Sequence, residues 1–300
     1  MLSATTPGCV LAFDDEREMA DALARTLDVP LALIERHRFP DGELKLRLPA
    51  TLPPCVVLLR SLHQPNEKLV ELLITAPAAR ELGAQRLLLA CPYLAYMRQD
   101  IAFLPGEAVS QRHIGSLLAS RFDVVVTVDP HLHRISALSD VMPGCRAVSR
   151  SAAALIGAWV ARHVSQPLLL GPDEESAQWV SEAARACSPS ADHGWCVKQR
   201  HGDRDVVVTL PPALNCRDRA VVLIDDMAST GRTLMAAAKL ALAAGALSVD
   251  VAVTHALFVG DALDELKATG VRHVWSTDCV PHASNAISVV PLLADALRAG

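Results

Sequence analysis

Residues 220–246, AVVLIDDMASTGRTLMAAAKLALAAGA, bring together what chemistry on a sugar phosphate requires. An apolar strand candidate ends in two adjacent acids, Asp225 and Asp226. A run of small and hydroxyl residues follows, Ser229-Thr230-Gly231-Arg232-Thr233, and then an amphipathic helix candidate. Consecutive backbone N–H groups at a helix N-terminus form an anion cradle. Ser229, Thr230 and Thr233 add hydroxyl donors, and Gly231 lets the chain turn tightly around a phosphate. Two carboxylates beside the cradle can accept hydrogen bonds from vicinal sugar hydroxyls, at the carboxyl edge of a parallel sheet where ligands of such folds bind. The plainer reading is an acidic cap on an ordinary strand-to-helix turn. Paired acids and T-G-x-T in one short window favour the sugar phosphate.

Five further segments carry candidate groups. In RFPDGELKLRLP (38–49), Phe39 offers an aromatic face and Asp41 and Glu43 offer acceptors around Gly42; an Asp-Gly turn between two strands explains the same letters. In PYLAYMRQD (92–100), Arg98 can grip phosphate oxygens through a bidentate fork, and Gln99 can read adenine or ribose. A surface Arg98–Asp100 pair is the bland alternative. TVDPHLHRISAL (127–138) places Asp129 and His131 at a strand end, with His133 nearby. LLLGPDEES (168–176) sets Asp173 where it can cap a helix or serve a site. WCVKQRHGDRD (195–205) holds two cations, Lys198 and Arg200, on a short loop that could close over a transferring group or simply be solvated.

These groups need a scaffold. Apolar runs at 55–60, 86–91, 123–129, 167–171, 205–210, 220–225, 247–254 and 271–277 alternate with helical stretches near 66–82, 107–121, 149–164, 174–187, 231–244, 261–269 and 288–299. That alternation predicts an α/β protein with parallel sheets flanked by helices. Gly83 and Gly245 suit helix C-termini, and Pro291 fits only a first turn. The pattern pauses at 139–149, which predicts two domains, 1–145 and 146–300, with the closing helix able to pack back on the first.

Composition bounds the rest. With 300 residues, 51% hydrophobic, the chain can build real cores and is not disordered. No apolar run is long enough to span a bilayer, and the start shows no signal peptide. A formal charge of −5 excludes recruitment of nucleic acid by bulk electrostatics, so local groups must hold any anionic substrate. Eight scattered cysteines without C-x-x-C predict reduced thiols in the cytoplasm, and His193-x-x-Cys196 lacks the second half of a zinc site. No G-x-x-x-x-G-K-[ST] is present, so a nucleotide would need another cradle.

The loop at 225–233 resembles the phosphoribosyl-diphosphate (PRPP) loop shared by type I phosphoribosyltransferases and PRPP synthetases. The remaining segments resemble the synthetases: F-x-D-G-E at 39–43, PY-x-x-Y-x-RQD at 92–100, D-x-H at 129–131, PD at 172–173, K-x-R at 198–200 and the TDCVP tail. The resemblance covers nearly the whole chain and implies two tandem phosphoribosyltransferase-type domains. It implies that Phe39, Asp41, Gly42, Glu43, Arg98 and Gln99 bind ATP, the first four usually across a subunit boundary. It further implies ribose 5-phosphate on Asp225, Asp226 and 229–233, Mg²⁺ near His131, Asp129 and Asp173, and catalysis by Lys198 and Arg200. The implied reaction is ribose-phosphate diphosphokinase activity, in a homodimer at least, without nucleic acid or membrane partners. Ser229, Arg232 and the EES after Asp173 depart from the commonest bacterial spelling and lie nearer the archaeal type. Two alternatives stay open: a phosphoribosyltransferase that consumes PRPP, and a non-catalytic regulatory subunit of a synthetase.

Overall fold

The computed structural model describes residues 6–132, 135, 137–187, 189–201, 205–211 and 214–299, with side chains of 198–201 and 205–208 left aside. The chain divides into two compact units, one of residues 151–288 and the other of the residues before and after them.

In the first unit, short apolar runs become parallel strands. They are β1 (Cys9–Phe13), β2 (Leu31–Arg38), β4 (Cys55–Leu59), β5 (Arg86–Cys91), β6 (Val124–Val128) and β7 (Arg146–Arg150), with β3 (Leu44–Arg47) added antiparallel to β2. Their order is β3-β2-β1-β4-β5-β6-β7. Every residue of β1, β4 and β6 is buried, as expected of parallel strands covered on both faces. The connections are α1 (Arg17–Leu27), α2 (Pro65–Glu81) and α3 (Ser110–Ala119). Pro65 opens α2, where its missing N–H costs nothing.

The second unit holds α4 (Ala153–His163), β8 (Leu168–Gly171), α5 (Ala177–Ala186), β9 (Asp192–Trp195), β10 (Val197–His201), β11 (Asp205–Thr209), β12 (Ala220–Ala228), α6 (Arg232–Ala243), β13 (Ser248–Ala256), α7 (Ala262–Ala268), β14 (Val271–Thr277) and β15 (Asn285–Ile287). Its parallel sheet runs β15-β14-β13-β12-β8-β9, with α4 and α5 over one face and α6 and α7 over the other. At Gly157 in α4, a side-chain carbon would lie 2.1 Å from the carbonyl oxygen of Ala183 in α5, so only glycine permits this approach. The chain then returns to the first unit as α8 (Val290–Arg298), which packs on α1 and carries an Arg298-to-Thr26 carbonyl hydrogen bond.

The eight strands and seven helices expected from periodicity all appear, within a few residues of their predicted ends. Three expectations need amending. The division falls after Arg150, because 146–150 pair with β6 as β7. The first strand-helix-strand unit, 9–38, adds elements the periodicity does not set apart. The segment carrying Lys198 and Arg200 is a strand of a two-stranded antiparallel sheet, β10–β11, in place of a loop.

Candidate active site

In the second unit, β12 delivers the paired acids and runs on to Ala228, so the acids lie within the strand and not at its tip. Asp226 is 3% exposed, and its N–H donates to Asp225 Oδ1 at 3.0 Å. Burial, then the negative charges of Asp226 and Asp173, raise the Asp225 carboxyl well above the ordinary carboxylate range. Asp173, just past β8, accepts the Glu175 N–H at 3.2 Å and caps the turn into α5. Three predicted acids are thus gathered where β8 ends alongside the later residues of its parallel neighbour β12. Their mutual repulsion suits a hard, oxygen-seeking cation such as Mg²⁺, which would relieve it. Among the described residues, no three His, Cys, Asp or Glu side chains form a ready-made metal cage.

The loop Ser229–Gly231 then turns into α6. Gly231 adopts φ +68°, a conformation costly for residues with a side chain. No side chain caps α6, so the amides of Arg232, Thr233 and Leu234 lie at an open, electropositive helix start. Thr230 and Arg232 are exposed, and Ser229 and Thr233 half-buried. The arrangement offers donors to a phosphate and carboxylates to sugar hydroxyls within one strand-turn-helix unit.

In the first unit, the loops after β5 and β6 leave the same sheet edge. Gln99 donates its amide to the Ile101 carbonyl at 2.9 Å, and Arg98 is exposed. Tyr96 sits at φ +64° with its hydroxyl on Asn66 Oδ1. Gln111, 1% exposed, braces this loop: its side chain donates to the Met97 carbonyl at 3.1 Å and its N–H to Gln99 O at 3.2 Å. Sequence reasoning overlooked Gln111; a polar residue one position into α3, on the face that proves buried, was the available signal. Asp129 is buried at φ +36°, its N–H bound to the Arg150 carbonyl at 2.9 Å, with partly buried His131 two residues on. His133 lies outside the described residues.

Phe39, Asp41, Gly42 and Glu43 form the tip of the β2–β3 hairpin, closed by Phe39 N–H to Glu43 O and Gly42 N–H to Phe39 O, both 2.9 Å. Asp41 Oδ1 accepts the Glu43 N–H at 3.1 Å, and the Phe39 ring is 39% exposed. Two strands separate β2 from β5, about 14 Å at ordinary strand spacing, so the hairpin does not join Arg98 and Gln99 through neighbouring strands. Lys198 and Arg200 lie opposite Val208 and Val206 in the β10–β11 ladder.

A cluster the sequence did not announce lies where β1 and β4 end. Arg60, 1% exposed, bridges Asp15 at 2.9 Å and Glu71, over the Phe13 ring. Lys68 donates to the Ser61 carbonyl at 2.8 Å and lies 3.1 Å from His63 Nε2. A cavity of about 630 Å³ lined by Arg36, Arg38, Arg60 and Lys68 opens beside it.

Comparison with known proteins bears on the two units as wholes. Residues 9–121 match the model of the N-terminal domain of ribose phosphate pyrophosphokinase, and 136–290 match the phosphoribosyl transferase domain. A ribose-phosphate pyrophosphokinase of Methanopyrus kandleri is 36% identical over 292 residues, covering 96% of this chain and 98% of that protein. The chain belongs to the ribose-phosphate pyrophosphokinase family. A second member, from Methanosarcina acetivorans, is 33% identical, covering 93% of this chain and 95% of its own. The crystal structure of phosphoribosylpyrophosphate synthetase from Mycobacterium smegmatis superposes with a TM-score of 0.83 at 25% identity, over 97% of this chain and 98% of that one. The fold is accordingly two tandem phosphoribosyltransferase-type domains, and the archaeal relatives accord with the loop spellings around Ser229.

Proposed function

We propose that this ribose-phosphate pyrophosphokinase family member transfers the β,γ-diphosphoryl group of ATP to the 1-hydroxyl of ribose 5-phosphate, giving PRPP and AMP. The observation that carries the reading is the β12–loop–α6 unit, where acids, hydroxyls and an uncapped helix start converge. The 5-phosphate rests on the amides and hydroxyls of 229–233, and Asp225 and Asp226 hold the 2- and 3-hydroxyls. The 1-oxygen attacks the β-phosphorus in line, the bond from that phosphorus to the α–β bridging oxygen breaks, and the hydroxyl proton passes to solvent. Positioning and charge neutralisation supply most of the rate.

Arg98 and Gln99 hold the nucleotide, and Lys198 and Arg200 neutralise charge on the moving group. Asp173 on the sugar-phosphate side, and Asp129 and His131 on the nucleotide side, are the residues that would serve Mg²⁺, which would supply Lewis-acid screening of phosphate oxygens. The hairpin tip at Phe39–Glu43, set apart from Arg98 in its own sheet, fits donation to a neighbouring copy, so the working unit is a homo-oligomer. Eight free, buried cysteines accord with a reducing compartment, the cytoplasm. No helix among the described residues is long and apolar enough to cross a membrane.

The test is direct. Purified protein with Mg-ATP and ribose 5-phosphate should release AMP and PRPP in equal amounts. Tight PRPP binding without AMP would instead support a phosphoribosyltransferase or a regulatory subunit.

A further inference from the structure

The sugar-phosphate loop does not stand alone on β12. Pairing with the neighbouring strand continues past its regular end: Leu257 N–H donates to the Ala228 carbonyl at 2.8 Å, and Val259 N–H to the Ser229 carbonyl at 3.3 Å. A side-chain carbon on Gly231 would lie 3.7 Å from the Ala262 carbonyl. The segment 257–262 is therefore the wall against which the loop is set.

Phe258 sits between the two donating amides. Its partly buried ring packs on the core beneath α6 and lies 5.3 Å from the ring of His282, tilted by 34°. His282 comes from the turn after β14 and is held there by its own bonds. Its N–H donates to Asn285 Oδ1 at 2.9 Å, and its Nδ1 accepts the Ser284 N–H at 3.1 Å. Asn285 in turn donates to Ser276 Oγ at 2.9 Å and to the Thr277 carbonyl at 2.6 Å, and Ser276 Oγ meets Ser284 Oγ at 2.8 Å. Because Nδ1 accepts, the neutral ring carries its proton on Nε2. The imidazole is thus clamped from behind and presents a fixed ring to Phe258.

We propose that His282 is a positioning residue for the sugar-phosphate loop, acting through the Phe258 ring to hold the amides that seat Ala228 and Ser229. This rests on the reading of 229–233 as the ribose 5-phosphate site. His282 touches no reacting atom; it fixes the wall, and the wall fixes the cradle. Such supporting contacts decide whether a site is held in its productive geometry or left loose.

The consequence separates substrates. Removing the ring in His282→Ala should raise KM and the calorimetric Kd for ribose 5-phosphate about fivefold, the range an aromatic pair supports. KM for Mg-ATP and kcat should stay within about twofold. His282→Phe keeps a ring against Phe258 and should restore most of the affinity. If His282→Ala does not fold, Phe258→Leu removes the same ring contact from the other side and should give the same selective rise. Unchanged ribose 5-phosphate affinity would overturn the proposal. So would a parallel loss of kcat and both affinities, or failure of His282→Phe to recover. Wild-type protein that binds ribose 5-phosphate yet releases no AMP would sink the assigned reaction and leave this inference standing.

Discussion

At the scale of single residues, the site concentrates charge that water would otherwise dilute. Burial, reinforced by the charges of Asp226 and Asp173, raises the Asp225 carboxyl well above the ordinary carboxylate range, a shift that a bound cation would oppose. His63 shows the opposite shift. Burial first, then the charges of Lys68 and Arg60, push its imidazole down to about 4. The unfolded chain takes up that proton near pH 6.5, so between the two values the native state binds fewer protons and stability falls as pH drops. At pH 5 this amounts to about 2 kcal/mol at most. Urea unfolding at pH 7 and pH 5 should show His63→Gln losing that much less than wild type across the same interval; parallel losses would contradict the assignment. The acid pair and the hydroxyl loop were legible as letters because their chemistry is local. His63, Arg60 and Glu71 were not, because adjacency across β1, β4 and α2 creates the cluster and no spacing in the chain announces it.

At the scale of elements, periodicity carried far. Strands buried on both faces read as near-continuous apolar runs, and β4, β5, β6, β8 and the first half of β12 are of this kind. The hairpin at 38–49 was equally readable, its Asp-Gly turn closing two strands as turn chemistry requires. What escaped were β7, a half-exposed edge strand, and β10, whose only strand partner is β11, the strand expected at 205–210. Helix packing makes its own demand at Gly157. A methyl group there must displace the Ala183 carbonyl, an overpacking that costs about 1–3 kcal/mol. Gly157→Ala should lower the thermal midpoint accordingly, and an unchanged midpoint would mean that α4 and α5 stand further apart.

At the scale of the molecule, the chain leaves the first unit at Arg150, builds the second, and comes back to finish the first with its last helix. Val290, Leu293, Ala294, Ala296 and Leu297 of that helix are buried. Three large apolar side chains among them are worth about 5 kcal/mol or more, comparable with the whole stability of a small domain. A form ending at Ser288 should therefore yield a protease-resistant core only from 151–288, while the full chain protects both units; resistance of both in the shortened form would show the helix to be dispensable. During synthesis the consequence is one of timing. The half of the chain made first waits with one flank of its sheet bare, while the half made second, contiguous in sequence, can close beforehand. Closure of the first unit thus waits until residues 290–298 have been made, and a chain stopped before them leaves that flank uncovered.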